Sequence, residues 1–264
     1  MNQYFDIGAN LTHPDLQEDL ESILENALNE GVVNISVTSS NLEESIKALD
    51  LVKKWPEILI STAGIHPHEA KKFNSYSYSE IKDLASNKEV SAIGETGLDY
   101  HRNYSSPSEQ RKSFEQHVEL AIELDMPLFL HVREAHQDFL SILDNVKDNL
   151  PRIVVHCFTG TESELDDYTG RDFYIGITGW ICDERRGQHL KPLIKNIPED
   201  RLMIETDSPY LLPRNSGINY RTSNEPKYLG IVAKEVASHK DGAHEETFKT
   251  LFSNSKNFFG LDRY

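Results

Sequence analysis

Eight short apolar runs, at 4–11, 32–38, 58–64, 90–95, 127–131, 152–156, 173–177 and 202–207, recur along the chain at strand length. A strand that is apolar almost throughout is buried on both faces, as parallel strands are when helices cover them. Helical patterns separate the runs. Between 107 and 125, Phe114, Val118, Ala121 and Ile122 recur on one face, with Ser106 as a cap, Pro107 at the first helical position and Glu109 completing a capping box. Similar starts occur at Ser77 with Glu80 and at Thr161 with Glu164, and 227–240 and 244–259 read as covering helices. Eight β-then-α units in 264 residues point to an α/β fold, a (β/α)8 TIM barrel of about 250 residues, as one domain over 1–264.

Charge and cysteine content narrow the function. A net charge of −16 repels a long polyanion and argues against a protein that coats DNA. Contact with nucleic acid should then be local, at a few phosphates. Cys157 and Cys182 lack C-x-x-C spacing, so neither a disulfide framework nor a zinc knuckle is indicated. MNQYFDIGAN lacks the features of a secretory signal, and no apolar run approaches the roughly 18 residues of a membrane span. The expectation is a cytoplasmic protein, monomeric and without a membrane partner.

Four runs end on residues that can bind metal: VSAIGE on Glu95, PLFLH on His131, RIVVH on His156 and LMIETD on Asp207. In a parallel barrel such residues converge on the rim at the C-terminal ends of the strands, where this fold carries its chemistry. A lone histidine after a strand is more often a hydrogen-bonded structural residue, but three ligand-type residues at successive strand ends favour a metal site at Glu95, His131 and His156. Two imidazoles and a carboxylate suit Zn²⁺ and also serve Mn²⁺ or iron; Mg²⁺ prefers oxygen ligands but stays open as the working ion. Asp207, in ETDSPYLLPR, either completes the shell or takes a proton from an attacking water; its structural alternative is a helix cap or turn start.

Supporting residues lie beyond other strand ends. His66 and His68 flank Pro67 and could hold a phosphate, or simply form a rigid turn. Arg133 and the Arg185-Arg186 pair offer forks that fit phosphate oxygens, although arginine pairs are usually solvated charge. Tyr100, Phe158, Trp180 and Tyr210 could stack on unpaired bases or fill the core. His117, His136, His189, His239 and His244 read as solvated. No Gly-rich phosphate loop, nucleophile elbow or H-E-x-x-H motif occurs.

The stretches FDIGANLT, TAGIHPHEA, AIGETGLDYHRNYSSPSEQ, PLFLHVREAH, VVHCFTGT, IGITGWICDERRG, ETDSPYLLPR and NEPKYL run almost end to end, and with them the chain resembles the TatD family of metal-dependent nucleases, a branch of the amidohydrolase-type barrels. The resemblance implies a (β/α)8 barrel that uses a divalent cation to hydrolyse phosphodiesters. It further implies 3′-to-5′ removal of nucleotides from single-stranded DNA and RNA ends, in DNA repair or nucleic-acid turnover. It places the family's bridging glutamate on Glu95, its strand-five and strand-six histidines on His131 and His156, and its strand-eight aspartate on Asp207. One departure stands out. The family's first-strand Asp-x-His-x-His reads here Asp6-Ile7-Gly8-Ala9-Asn10, so a second ion loses two imidazoles and one well-held cation is expected.

Two other readings stay open on the residues alone. The same scaffold could hydrolyse a small cyclic amide or lactone, or serve as a non-catalytic nucleic-acid-binding relative. The arginines and aromatics assigned to the rim suit phosphate and bases better than a small neutral amide.

Overall fold

The computed structural model of the protein describes residues 2–219 and 221–261. Its strands are β1 (Tyr4–Ala9), β2 (Val32–Val37), β3 (Leu59–Ala63), β4 (Val90–Asp99), β5 (Leu128–Arg133), β6 (Ile153–Val155), β7 (Tyr174–Ile177) and β8 (Leu202–Ile204). They follow one another in chain order in one eight-stranded sheet, with parallel pairing. Each of the eight apolar runs overlaps one of these strands.

The chain divides into two compact units, Met1–Val37 with His156–Tyr264, and Thr38–Val155. In the first unit β7 pairs with β8, β8 lies against β1, and β1 pairs with β2, so the last strand neighbours the first. Phe5 of β1 is buried and stacks on Phe259 of the helix His244–Phe259 at 5.4 Å between ring centres. In the second unit β3, β4, β5 and β6 pair in turn. There the helix Pro107–Leu124 buries Phe114, Val118 and Ala121, and Phe114 stacks on Phe139 at 5.3 Å. Burying whole side chains of this size stabilises by about 1.5–3 kcal/mol each, which is why these rings set the helix faces.

Local signals explain most boundaries. Ser106 and Glu109 form the reciprocal capping box expected of them, as do Thr161 and Glu164. The helix Ser75–Ala85 corrects the expectation of a start at Ser77: Asn74 is the cap, and Ser77 takes the third helical position, its hydroxyl accepting from Asn74 N at 2.8 Å. Serine thus plays the part usually given to glutamate. Between β7 and β8 the chain forms 3-10 turns at Gly179–Cys182, Lys191–Asn196 and Glu199–Arg201 in place of an α-helix. Pro192 and Pro198 interrupt that segment, and proline inside a helix removes a donor and clashes with the preceding turn.

Strands β3 and β4 approach so closely that a Cβ on Gly64 would stand 2.6 Å from the Gly94 carbonyl carbon. Gly64→Ala must push backbone aside, and we expect a loss of about 1–3 kcal/mol. Gly230→Ala should do the opposite. It lies in the helix Leu229–Ala237, its added Cβ would meet Tyr4 at an ordinary 3.5 Å, and alanine exceeds glycine there by up to about 1 kcal/mol. Thermal unfolding of the two variants checks the opposite signs.

Candidate metal and phosphodiester site

Three ligand-type side chains meet in the second unit. His66, Glu95 and His131 each offer an atom within 4.8 Å of the others. Glu95 Oε1 is 3.1 Å from His66 Nε2 and 3.2 Å from His131 Nδ1. Glu95 and His131 were expected at strand ends, but β4 and β5 continue past them. Thr96, Gly97, Leu98 and Asp99 pair with Leu130, His131, Val132 and Arg133 after a register shift between Ile93 and Thr96. In these two runs the closing polar residue is therefore inside its strand, and the strand ends are Asp99 and Arg133.

Asp99 gives this cluster its chemistry. It is 1% exposed and lies 2.9 Å from His68 Nε2 and 3.3 Å from His131 Nε2. Burial pushes its carboxyl up, but hydrogen bonds from His131, His68 and the Arg102 backbone outweigh burial and hold it well below the usual carboxylate range. An ionised carboxylate only accepts, so the nitrogen of His131 facing Asp99 carries the proton. In the neutral ring Nδ1 is then the lone-pair nitrogen, and it stands 3.2 Å from Glu95 Oε1, so the two atoms could share a cation. Gln110, fully buried, fixes Asp99 from behind: its Oε1 accepts from Asp99 N at 2.7 Å, and its Nε2 donates to Asp99 O at 3.0 Å.

His66 differs from its neighbours in the cluster. It caps the 3-10 turn Pro67–Lys72, and its Nδ1 accepts from His68 N at 3.1 Å. Burial lowers its pKa to about 4 despite Glu95, so the ring is neutral and the proton sits on Nε2, directed at Glu95 Oε1. That tautomer makes His66 a hydrogen-bond donor at the site. The rigid turn around Pro67 is present, and it places His66 beside Glu95 and His131.

The first unit holds His156 and Asp207. His156 follows β6 directly, and its Nδ1 lies 3.3 Å from Glu205 Oε2, while Glu205 Oε1 accepts from Cys157 N at 2.6 Å. With Nδ1–H given to the carboxylate, Nε2 is the lone-pair nitrogen. Asp207 follows β8, accepts from Asn10 Nδ2 at 3.0 Å through Oδ1, and donates its own N–H to Gly8 O at 2.8 Å. A turn follows it, closed by Tyr210 N on Asp207 O at 3.0 Å. Asp6 is buried, and burial raises its pKa to about 8 although Thr206 and the Gly8 backbone donate to it.

Other sequence assignments fare differently. Arg133 ends β5 two positions beyond His131, on the same face of the strand. Arg185 commits Nε and Nη2 to Asp183 at 3.0 and 2.8 Å. Phe158 is core, at 4% exposure, whereas Tyr210 is 52% exposed. His117 overturns its reading as solvated: it is 1% exposed, accepting from Ile65 N at 3.1 Å through Nε2, with Nδ1 2.7 Å from Ser113 O. It lies on the buried face of its helix and pins the backbone that precedes His66. Sequence reading missed Asp99, Gln110 and Glu205. The signal for Asp99 was the alternation in ETGLD, which continues the strand beyond Glu95.

Two measurements test this geometry. Asp99→Asn should weaken divalent-cation binding about 10–100-fold, as loss of a carboxylate behind a ligating histidine does; calorimetric titration with Zn²⁺ or Mn²⁺ reads it, and unchanged affinity would count against the tautomer assignment. Burial lowers the His117 pKa to about 4 against an ordinary 6.5. The folded state resists protonation, so the ring's contribution is full above pH 6.5 and is lost as pH falls toward 4. His117→Gln should flatten the dependence of unfolding free energy on pH across that window, which amounts to roughly 3 kcal/mol.

Comparison with known proteins adds kinship to this geometry. The sequence profile of the family described as TatD related DNase matches residues 5–260. A protein from Cronobacter sakazakii named 3′-5′ ssDNA/RNA exonuclease TatD is 47% identical over 234 residues, 88% of this chain and 89% of that one. The crystal structure of a TatD homolog from Escherichia coli K12 superposes with a TM-score of 0.89 at 25% identity, covering 97% of this chain and 98% of the other. A TatD family hydrolase from Entamoeba histolytica gives 0.87 at 28% identity, covering 97% and 98%. With strands in the order described, the fold is the (β/α)8 barrel expected from the sequence. Profile, identity and fold agree over nearly the whole length, and the chain belongs to the TatD related DNase family.

Proposed function

We propose that this protein is a metal-dependent nuclease that removes nucleotides in the 3′-to-5′ direction from single-stranded DNA and RNA ends in the cytoplasm. The observation that carries the reading is the pair of lone-pair acceptors, His131 Nδ1 and Glu95 Oε1 at 3.2 Å, set by Asp99 in a member of a DNase family. Similarity to proteins named as 3′-5′ ssDNA/RNA exonucleases supports the direction and substrate.

Glu95 and His131 would hold a divalent cation, and His156, with its Nδ1 engaged by Glu205, would offer Nε2 to such an ion. The imidazole content favours Zn²⁺ or Mn²⁺, and Mg²⁺ would bind more weakly to the same donors. A bound cation supplies Lewis acidity toward a phosphoryl oxygen and makes water easier to deprotonate. Asp207 accepts the proton of the attacking water, its carboxylate aimed by the Asn10 amide. Arg133 donates to the phosphoryl oxygens as negative charge builds on them, and His66, close by, turns its Nε2–H from Glu95 Oε1 to the same oxygens when substrate is bound. The bond from water oxygen to phosphorus forms as the bond to the leaving oxygen breaks, and the leaving oxygen takes up a proton from solvent water, to which Asp207 returns its own. A small neutral amide or lactone would give Arg133 no anionic partner.

Glu95→Ala and His131→Ala should each lower cleavage of a 5′-labelled single-stranded oligonucleotide at least about 100-fold with the circular-dichroism spectrum preserved. Chelation should abolish activity, and Zn²⁺, Mn²⁺ or Mg²⁺ should restore it to different extents. Full activity in both variants, prepared free of contaminating nuclease, would exclude this site.

A further inference from the structure

A second feature of the first unit has no part in the chemistry above. A cleft of about 320 Å³ opens between the 3-10 turn Gly179–Cys182 after β7 and the loop that begins at Asp207 after β8. That volume lies in the range of small-ligand sites, about 300–1,000 Å³. Trp180, Arg186, Arg214, Leu211, Leu212 and Ile218 line it. Its walls fit tightly, since a Cβ on Gly179 would stand 2.1 Å from Leu211 O.

The polar groups in this cleft are prearranged. The Arg186 guanidinium carbon lies 4.2 Å from the centre of the Trp180 ring, its Nε donates to Asp183 Oδ2 at 3.0 Å, and its side chain is half exposed. Trp180 Nε1 donates back to Arg186 O at 3.4 Å. The cation is thus held on the indole and presented to solvent, with its flexibility already reduced. Arg214 is more loosely tied, its Nε 3.7 Å from Glu184 Oε2. Arg185, Arg186 and Arg214 stand against Asp183 and Glu184, a local positive excess in a chain of net charge −16. Such an excess next to an aromatic and apolar wall matches a ligand that is anionic at one end and flat and apolar at the other.

We propose that this cleft is a subsite for one nucleotide of the single strand. Its base lies against the Trp180–Arg186 stack and the apolar wall, and its phosphate is taken by Arg214. The assignment rests on the nuclease reading and extends it. Stacking on aromatic rings and guanidinium planes tolerates every base, so the subsite would grip a strand without regard to sequence. It also places the grip on the loop that starts with Asp207, so binding of the strand and placement of the proton acceptor share one stretch of backbone. An acidic protein gains a foothold on a polyanion this way without a basic face.

Trp180 is one of two tryptophans, so Trp55→Phe leaves a single indole reporter in the full-length protein. Addition of an oligothymidylate, with divalent cations chelated to prevent turnover, should quench that emission. Trp180→Ala should raise the dissociation constant about tenfold. Arg214→Glu, at a partly exposed position where misfolding is not a concern, should weaken binding and reduce the slope of log affinity against log salt by about 0.7, the loss of one phosphate contact. Cleavage by the wild-type protein with indole emission unmoved and Arg214→Glu binding unaltered would overturn the subsite while leaving the nuclease intact. Absence of both cleavage and binding with every cation tried would remove the nuclease reading and the subsite with it.

Discussion

The proton on His131 is fixed by one buried carboxylate, and the character of the site follows from that. Asp99 can only accept, so the imidazole must turn its other nitrogen, as a lone pair, toward Glu95. With that nitrogen and a carboxylate oxygen 3.2 Å apart, the two side chains present a donor set of the kind divalent cations take. Glu205 does the same to His156 in the first unit, taking Nδ1–H and leaving Nε2 as donor to a metal. Two histidines, two carboxylates and two strand ends thus repeat one device. A neutral imidazole free to choose its tautomer would spend part of its time in the wrong one, whereas here the hydrogen bond made by one ring nitrogen sets the state of the other.

His66 shows that proximity alone does not make a ligand. It stands as near Glu95 as His131 does, yet the backbone of the turn it caps occupies its Nδ1. The ring is a donor by construction, and its one N–H faces Glu95. That turn is in turn held by His117, whose Nε2 accepts from the residue before His66. One histidine donates at the site because another, buried in a helix, accepts behind it.

The strands were legible in the sequence because burial on both faces leaves near-continuous apolar runs, and each run overlaps a strand. The capping boxes at Ser106 and Thr161 were legible because both halves of the motif are local. Ends of strands were harder. A run read from apolarity stops at its first polar residue, so β4 seemed finished at Glu95 while the backbone pairs on to Asp99. Asp99 and Gln110 escaped notice for that reason: their partners lie on other elements, and nothing local marks a carboxylate that orients a distant ring. His117 was misread because a polar residue on an amphipathic helix is usually solvated, and only tertiary contacts show that this one is satisfied inside.

The missing first-strand histidines have a positive counterpart. Asn10 occupies the last position of that motif, and its amide donates to Asp207 Oδ1 and to Ser208 O. An imidazole there would be a ligand for a cation and would compete with the carboxylate for it; an amide nitrogen has no lone pair to offer a metal and only hydrogens to offer a carboxylate. Gly8, with no side chain, supplies the carbonyl that receives the Asp207 N–H. The first strand has therefore exchanged ligation for orientation. It holds Asp207 by both backbone and side chain, which fits the proton-accepting role proposed for that carboxylate. The departure from the family pattern is consistent with a site built around one firmly held cation and a separately aimed base.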